Sequence, residues 1–263
     1  MIHSPRAWAL EQSDRRIVFA SGPETTMFAE SRPNHVAAHR LPAWKAVLAI
    51  GAGHVQLHRA GRPVVAAPGL LVPPQLPHSC AATAPYVALF IDAWQLPPYR
   101  KPIRLGAEEA RRLVAALGTA DAHGPDADAD LTAAYTELRV LAGPSPVLDP
   151  RVARAIHLCT RVAPDTPIAA IGKEVGLSPP RLRALIQRDV GIPLARLRRW
   201  SRLRTAVADL PDATVAAAAA TAGFADQAHL TRTARDFLGR TPASLRHAAA
   251  EVVDRSKGTS TGA

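Results

Sequence analysis

The sequence predicts an α+β protein in which an N-terminal β-barrel precedes a helical segment and an all-α C-terminal domain. Three observations support this fold class: short apolar runs separated by Pro and Gly over residues 1–105, helical periodicity over residues 106–142, and one helix-turn-helix pattern that occurs twice within residues 151–248. The chain has 263 residues, of which 48% are apolar, which is enough for two domains with their own cores.

The N-terminal region contains apolar runs of strand length, each bounded by turn residues. They cover residues 46–50, 54–58, 63–67, 69–72 and 86–91. Strands at this spacing are typical of a small β-barrel or sandwich. Residues 1–105 are therefore predicted to form one β domain.

Two amphipathic helices are predicted after the β domain. Residues 107–117 and 130–142 carry apolar side chains at three- and four-residue spacing. The segment 143–150 contains three prolines, which forbid a continuous helix and indicate a linker. The helices fit either a dimerisation segment, taken as residues 106–142, or packing against their own barrel.

The helix-turn-helix pattern occurs at residues 168–191, here called module 1, and at residues 215–239, module 2. Each turn has the order glycine, large apolar residue and capping residue: Gly176, Leu177 and Ser178 in module 1, and Gly223, Phe224 and Asp226 in module 2. Glycine tolerates the positive φ of a tight turn, and a Ser or Asp oxygen caps the following helix. Two such helices can reach two major grooves, so DNA is the predicted partner. An α-hairpin repeat without a ligand is the alternative.

The positive charge is concentrated in the C-terminal part of the chain. Residues 151–263 carry 18 Lys and Arg against 9 Asp and Glu, whereas residues 1–150 carry 14 against 13. A basic excess confined to one domain is typical of contact with phosphates. The densest run is predicted to lie on a long helix that joins the modules, and its Arg198, Arg199 and Arg202 are candidate phosphate contacts. A solvated basic face is the alternative.

Residues 150–248 resemble the DNA-binding domain of AraC/XylS-type transcriptional regulators. The resemblance rests on the tandem modules, the arginine-rich helix between them and the closing segment 239–246, and its most specific part is Gly223 and Phe224 followed by Gln227 and residues 230–232. Residues 69–74, followed by Pro77 and His78, resemble the cupin-like sensor domain of the same family. We therefore take residues 151–248 as the DNA-binding domain and residues 249–263 as a flexible tail.

The resemblance implies a sequence-specific transcriptional regulator, more often an activator, that responds to a small-molecule effector in its N-terminal barrel. It implies double-stranded DNA and RNA polymerase as partners and a homodimer formed through residues 106–142. It implies no cofactor and no enzymatic activity.

The resemblance also assigns base-facing positions. They fall on Pro180, Arg183 and Ala184, with Arg181 beside them, in module 1, and on Gln227, Ala228, Thr231 and Arg232 in module 2. Gln suits adenine and Arg suits guanine in the major groove, which makes Arg232 the strongest candidate. Pro180 and Ala184 cannot donate side-chain hydrogen bonds, so module 1 contacts bases through its arginines or acts mainly as a backbone clamp. Phosphate contact without base recognition is the alternative for Arg232.

The N-terminal histidines raise the question of a metal site. His39 and His78 can place two imidazoles inside a barrel, yet the His-x-His cluster with a Glu, which the family's enzymatic relatives use, is missing from the sequence. We therefore expect no catalysis and assign no metal, although metal binding by His39 and His78, or their plain surface exposure, stays an alternative. We predict that His39, Trp44, His78 and Trp94 line an effector pocket, since such pockets are apolar with a few polar groups. Two alternatives stay open: a cupin-type metalloprotein or enzyme with an appended DNA-binding domain, and a constitutive DNA-binding protein.

The remaining sequence features set the expected setting of the protein. Cys80 and Cys159 lie in different domains without CxxC spacing, so neither a zinc site nor a disulfide framework is indicated. The N-terminus has no signal-peptide pattern and the sequence has no apolar run of transmembrane length. A cytoplasmic protein without a membrane partner is expected.

Overall fold

The computed structural model describes residues 6–12, 14–23, 25–118, 124–162 and 166–246. Eleven strands lie within these ranges: β1 (Arg6–Gln12), β2 (Arg15–Ser21), β3 (Thr25–Glu30), β4 (Asn34–His39), β5 (Ala43–Ala49), β6 (Val55–Arg59), β7 (Arg62–Ala67), β8 (Gly69–Val72), β9 (His78–Ala82), β10 (Tyr86–Asp92) and β11 (Ile103–Leu105). They form two antiparallel sheets, one in the order β1-β2-β3-β10-β5-β8-β11 and one in the order β4-β9-β6-β7. These strands make up the β domain.

Two helices, α1 (Ala107–Ala116) and α2 (Leu131–Ala142), cover one face of the seven-stranded sheet. Asp130 caps α2 by accepting hydrogen bonds from the first backbone N–H groups of the helix. The buried side chains Leu113 and Leu138 pack into one apolar cluster with strands β3, β5 and β10. The alternative that these helices pack against their own β domain is confirmed, and dimerisation through them stays a prediction.

The central strands β5 and β10 are buried along their whole length, because both faces of their sheet are covered. Successive residues of a strand point to opposite faces. Trp44 therefore packs into the cluster with α1 and α2, whereas Val47 packs into the cluster on the other face. Lys45 shares the face of Val47, which places a charged side chain on an apolar side of the sheet.

The C-terminal domain is helical. It contains α3 (Pro150–His157), a π-helical segment (Leu158–Val162), α4 (Ile168–Glu174), α5 (Pro179–Val190), α6 (Leu194–Ala208), α7 (Val215–Thr221), α8 (Gln227–Leu238) and α9 (Pro242–Arg246). Together with the β domain, these helices confirm the predicted α+β class. Residues 143–149 form neither helix nor strand, and Asp149 caps α3. The tail predicted at residues 249–263 lies outside the described residues.

Both predicted helix-turn-helix modules are present: α4 and α5 form module 1, α7 and α8 form module 2, and α6 joins them. Their turns are closed by equivalent hydrogen bonds. The Leu177 N–H donates to the Gly172 carbonyl at 2.8 Å, and the Phe224 N–H donates to the Ala219 carbonyl at 2.9 Å. The glycines Gly176 and Gly223 have φ of 65° and 74°. The two copies thus share one turn geometry, as the sequence predicts.

The predicted caps of the two second helices are confirmed. The Ser178 hydroxyl accepts a hydrogen bond from the Arg181 N–H at 3.4 Å. The Asp226 carboxylate accepts one from the His229 N–H at 2.6 Å. Each cap satisfies a backbone donor that has no partner inside its helix.

The two modules are packed in different surroundings. Module 1 has its own core, which contains Leu182 and Ile186 and extends to Ala93 after β10. The core of module 2 is continuous with that of the β domain, since Phe237 belongs to the same cluster as Phe90. Helix α6 carries residues of both clusters. The C-terminal domain is therefore attached to the β domain mainly through α6 and module 2.

The two cysteines lie inside the protein. Cys80 and Cys159 are both free and buried. Burial raises the pKa of both thiols. Among the described helices, none combines the length and the apolar character that crossing a membrane requires.

Candidate nucleic-acid interface and interdomain cavity

Module 2 presents one polar face of α8 to solvent. Gln227, Ala228 and Arg232 are exposed and Thr231 is half-buried, because the apolar side chains of α8 face the core. Arg232 forms no ion pair with a described residue, so its guanidinium is available to a partner. This face has the donors that bidentate contacts to adenine and guanine require.

Module 1 presents a more basic and less varied face. Pro180, Arg181, Arg183 and Ala184 are all exposed on α5. Helix α5 begins with two prolines, which lack the backbone N–H that a helix start offers to a phosphate. Within the described chain, Arg181 and Arg183 have no ion-pair partner. These two guanidinium groups are therefore the main donors of module 1.

The arginines of α6 differ from a solvated basic face. Arg198, Arg199 and Arg202 are all half-buried. Arg198 donates a hydrogen bond to the Thr166 carbonyl, and the Arg199 guanidinium lies 5.9 Å from the centre of the Phe237 ring. These contacts stabilise the packing of α6 against the neighbouring parts of the C-terminal domain. Phosphate contact by the three residues stays a prediction.

A cavity of about 600 Å³, its open mouth included, lies between the β domain and the C-terminal domain. One wall is formed by the seven-stranded sheet, and the opposite wall by α6 with the ends of α8 and α9. Aromatic side chains dominate its surface: Phe19, Phe28, Phe90 and Trp200. The Phe90 and Trp200 rings, one from each domain, lie 5.6 Å apart. A ligand in this cavity would contact both domains at once.

Three cationic side chains line the same cavity. Arg240 pairs with Glu30 at 2.9 Å, and Arg204 pairs with Asp92 at 3.5 Å. Lys45 pairs with no carboxylate among the described residues, although it is 94% buried. Burial, followed by the positive charge of Arg240, lowers the pKa of Lys45. The cavity thus contains one amine whose charge the protein itself does not neutralise.

Two histidines lie beside this amine. The Nδ1 atoms of His39 and His78 lie 2.8 Å from the carbonyls of Ala37 and Leu76, so both Nδ1 atoms carry a proton and both Nε2 atoms are acceptors. His39 Nε2 lies 3.3 Å from Lys45 Nζ, and the two imidazole centres lie 4.2 Å apart. His78 Nε2 is buried without a hydrogen-bond partner in the described structure.

Both imidazoles are neutral in the folded protein. Burial and the nearby Lys45 charge lower the pKa of His39 to about 2 and that of His78 to about 3. A neutral imidazole can also bind a metal, but the described residues contain no group of three or more His, Cys, Asp or Glu side chains suited to one.

The structure separates the four predicted effector contacts. His39 lines the cavity and His78 contacts His39. Trp44 lies in the cluster with α1 and α2, and Trp94 packs against the core of module 1. Both tryptophans therefore lie away from the cavity, Trp44 because it points to the opposite face of β5 from Lys45. Sequence reasoning missed Lys45, although a single lysine at a strand position beside an apolar run was a usable signal.

The comparisons with known proteins agree with this architecture. Residues 171–248 match the model of a family described as a helix-turn-helix domain. A structure of ToxT from Vibrio cholerae matches 84% of this chain and 96% of its own, with 9% identity and a TM-score of 0.53. A second ToxT structure, of the wild-type protein from V. cholerae strain SCE256 with bound unsaturated fatty acid, matches 95% of this chain and 99% of its own, with 10% identity and a TM-score of 0.51.

A transcriptional regulator from Chromobacterium violaceum with an AraC-type DNA-binding domain matches 37% of this chain and 89% of its own, with 22% identity and a TM-score of 0.35. No curated protein sequence matches the chain. Residues 171–248 therefore form a helix-turn-helix domain, as the sequence predicted. Paired modules with exposed basic residues are typical of a DNA-binding domain.

Proposed function

We propose that this protein binds double-stranded DNA sequence-specifically through both modules and activates transcription in response to an effector. The observation that carries the proposal is the pair of exposed polar helix faces, whose arginines Arg181, Arg183 and Arg232 have no ion-pair partner in the described chain. The proposal assigns no catalytic reaction to the protein. Activation implies a contact with RNA polymerase.

The two modules contribute differently to DNA recognition in this proposal. Module 2 distinguishes bases through Gln227, Thr231 and Arg232, because amide and guanidinium groups make bidentate contacts with purines. Module 1 supplies Arg181 and Arg183, which contact either guanine or the backbone. Backbone contacts position the protein and base contacts specify the sequence. Module 2 therefore dominates the sequence preference.

Substitution of Arg232 tests the DNA-binding proposal. We expect Arg232→Ala to lose about 1–3 kcal/mol of binding to the preferred duplex, which is roughly a 5- to 150-fold rise in Kd, with much less change for random DNA. Arg235→Ala is the matched control, because Arg235 is an exposed arginine in the last turn of the same helix. Binding is measured with a duplex selected from a random pool, at two salt concentrations. Equal losses on selected and random DNA would reduce Arg232 to a phosphate contact.

We further propose that the effector is an apolar carboxylate bound in the interdomain cavity. Its apolar chain would pack on the aromatic walls formed by Phe19, Phe28 and Phe90, and its carboxylate would pair with Lys45. Such a pair neutralises the buried amine, which otherwise carries a desolvation cost without compensation. The ToxT fold, described with an unsaturated fatty acid bound, supports this class of ligand.

Oleate is a suitable probe of this site. We expect wild-type protein to bind oleate with a calorimetric signal, and Lys45→Met to weaken binding at least about tenfold, because a single charged contact of 1.5–3 kcal/mol is lost. Lys101→Met, which changes an exposed lysine, is the control. Unaltered binding by Lys45→Met would contradict the assignment of the carboxylate. Absence of oleate binding would contradict the ligand class without affecting the DNA-binding proposal.

The proposed regulator acts as a homodimer. Helix α2 supports a homodimer, because its outer face carries Val140. This valine is 68% exposed on a helix whose other face is buried. Val140→Glu is expected to weaken dimerisation, measured by sedimentation equilibrium. Val64→Glu, which changes an exposed valine of β7 outside the predicted dimerisation segment, is the control. A monomeric wild-type protein would remove the dimer from the proposal.

A further inference from the structure

The C-terminal end of α8 rests directly on β4 and the residue that follows it. The Arg40 N–H donates a hydrogen bond to the Asp236 carbonyl at 2.8 Å. Arg196 of α6 donates to the Arg40 carbonyl at 2.7 Å and pairs with the Asp236 carboxylate at 3.2 Å. The base-contacting helix of module 2 is therefore bonded to the β domain by its own backbone.

The contact is closest at Gly239, which ends α8. A Cβ atom placed on Gly239 would lie 2.4 Å from the Ala37 carbonyl oxygen, 2.7 Å from Val36 Cγ1 and 3.0 Å from His39 Nδ1. Only a residue without a side chain allows this approach. Gly191 ends α5 with a similar φ, 74° against 67°, but nothing lies within 4 Å of its Cβ position. The helix ending is common to both modules, and the contact with the β domain belongs to module 2.

A buried carboxylate holds the neighbouring residue in place. Glu30 of β3 is 2% exposed and accepts hydrogen bonds from Tyr86 and Asn34, each at 2.9 Å. It also pairs with Arg15 and, at 2.9 Å, with Arg240, which directly follows Gly239. Because Arg240 is the member of this network that comes from the C-terminal domain, the network fixes the end of α8 relative to the sheet.

His39 is shared by this contact and by the proposed effector site. Its Nε2 accepts from Lys45, and its Nδ1 edge faces Ala37 and Gly239. An anion at Lys45 competes for the Nζ hydrogen bond that His39 receives. The imidazole borders the end of α8, since its Nδ1 lies 3.0 Å from the position that a Cβ atom on Gly239 would occupy. We infer that the Gly239–β4 contact couples effector binding to the orientation of α8, with His39 as the positioning residue between them.

A small displacement at Gly239 has a large effect on the base-contacting positions. Gln227 lies twelve residues before Gly239, which corresponds to about 18 Å along a rigid helix. A tilt that starts at Gly239 therefore moves Gln227, Thr231 and Arg232 across the groove. The inference rests on the proposed effector site, whose function it extends from ligand binding to control of module 2.

Gly239→Ala, with Gly191→Ala as the matched control, tests the inference in the full-length protein. Both substitutions place alanine at a positive φ, but only the first collides with the β domain. We expect oleate to change the DNA affinity of the wild type and of Gly191→Ala at least about fivefold, and that of Gly239→Ala less than about twofold. Oleate affinity itself is expected to change less than about threefold relative to Gly191→Ala, because the carboxylate partner Lys45 is unchanged.

An undiminished oleate effect on the DNA affinity of Gly239→Ala would overturn the inference. Should that variant fail to fold, His39→Gln replaces it, and a fully retained oleate effect in His39→Gln has the same meaning. The hydrogen exchange of backbone amides 36–40, which belong to β4 and the residue after it, distinguishes a failure of the coupling from a failure of oleate to act as an effector. If the wild type does not respond to oleate, DNA is still expected to change that exchange in the wild type and Gly191→Ala. Exchange that is unaffected by DNA would overturn the coupling.

Discussion

Modules 1 and 2 have the same local structure and different tertiary roles. Their second helices α5 and α8 both have 12 residues and are both capped by an oxygen from the preceding residue. Apart from Ala93, the buried residues of the cluster that contains module 1 come from the C-terminal domain, whereas Phe237 of module 2 lies in one cluster with the sheet. A repeated sequence motif thus fixes the shape of each module but not its surroundings, and among the described residues module 2 shares the larger core with the β domain.

The largest effect is expected from emptying the core of each module. Phe237→Ala and Ile186→Ala remove fully buried side chains, at a cost of about 3–5 kcal/mol and about 2–5 kcal/mol respectively. Because Phe237 lies in the shared cluster, its loss is expected to accelerate hydrogen exchange in β2 and β3 as well as in module 2. Ile186→Ala is expected to act within module 1 alone. Equal acceleration of β2 and β3 by both variants would remove the difference between the modules.

The second-largest loss in the free energy of unfolding is expected from Glu30→Gln. The substitution keeps the shape of the buried side chain but leaves the half-buried Arg15 and Arg240 without their carboxylate; breaking a buried ion pair typically costs about 3–5 kcal/mol. Glu174→Gln in module 1 breaks an exposed ion pair with Arg154 of α3 and should lower the free energy of unfolding by at most about 1 kcal/mol. Urea unfolding measures both. A loss below about 1 kcal/mol for Glu30→Gln would mean that the network does not hold module 2.

The buried histidines predict a dependence of stability on pH. The pKa values of His39 and His78 in the folded protein, about 2 and about 3, lie below the ordinary value of 6.5. Between these values the unfolded chain binds more protons, so the stability contributed by the neutral imidazoles is present above pH 6.5 and is lost as the pH falls.

Each of the two histidines is expected to contribute a slope of about 1.4 kcal/mol per pH unit between roughly pH 6 and pH 3. His78→Gln should therefore flatten the measured slope, and His35→Gln, an exposed histidine on the same side of the molecule in β4, should not. Free energies of unfolding, measured for both variants at a series of pH values, give the two slopes. An unchanged slope in His78→Gln would show that His78 is protonated in the folded state.

The smallest expected effect is the difference in stability loss between variants of the two helix caps, Asp226 and Ser178. Asp226 accepts its hydrogen bond at 2.6 Å with a charged oxygen, whereas the Ser178 bond is 3.4 Å long. Asp226→Ala should therefore cost about 1 kcal/mol and Ser178→Ala about 0.5 kcal/mol. Thermal unfolding measures the two variants side by side. The reverse order would indicate that Ser178 gains stability from contacts other than its cap.

The sequence was most informative where structure is local. The turn glycines, the caps and the exposed positions Gln227 and Arg232 follow from residues close together in the chain. Strands β5, β6, β7, β8 and β10 coincide with the apolar runs. Strand β3 was missed because it is buried on both faces and carries Thr25, Thr26 and Glu30 in its interior, so it shows no alternation of apolar and polar residues.

The cavity could not be predicted from sequence periodicity. Its walls come from β2, β3, β4, β5, β10 and the helices after residue 194, and only the folded chain brings them together. For the same reason the sequence placed Trp44 in the pocket: an aromatic residue in a strand pattern does not show which of two buried faces it occupies. Trp94 lies in the turn after β10, where periodicity gives no side-chain direction. The half-burial of Arg198 and Arg199 depends on contacts with Thr166 and Phe237, which lie 32 and 38 positions away in the sequence.

The shared core also has a consequence for biosynthesis. The aromatic side chains Phe19, Phe28 and Phe90 leave the ribosome long before Trp200 and Phe237, which cover them. At usual translation rates of about 5–20 residues per second, this sheet face stays uncovered for on the order of 10 s. We therefore expect a chain terminated before α6 to expose this aromatic sheet face, and exposed apolar patches of this kind favour aggregation.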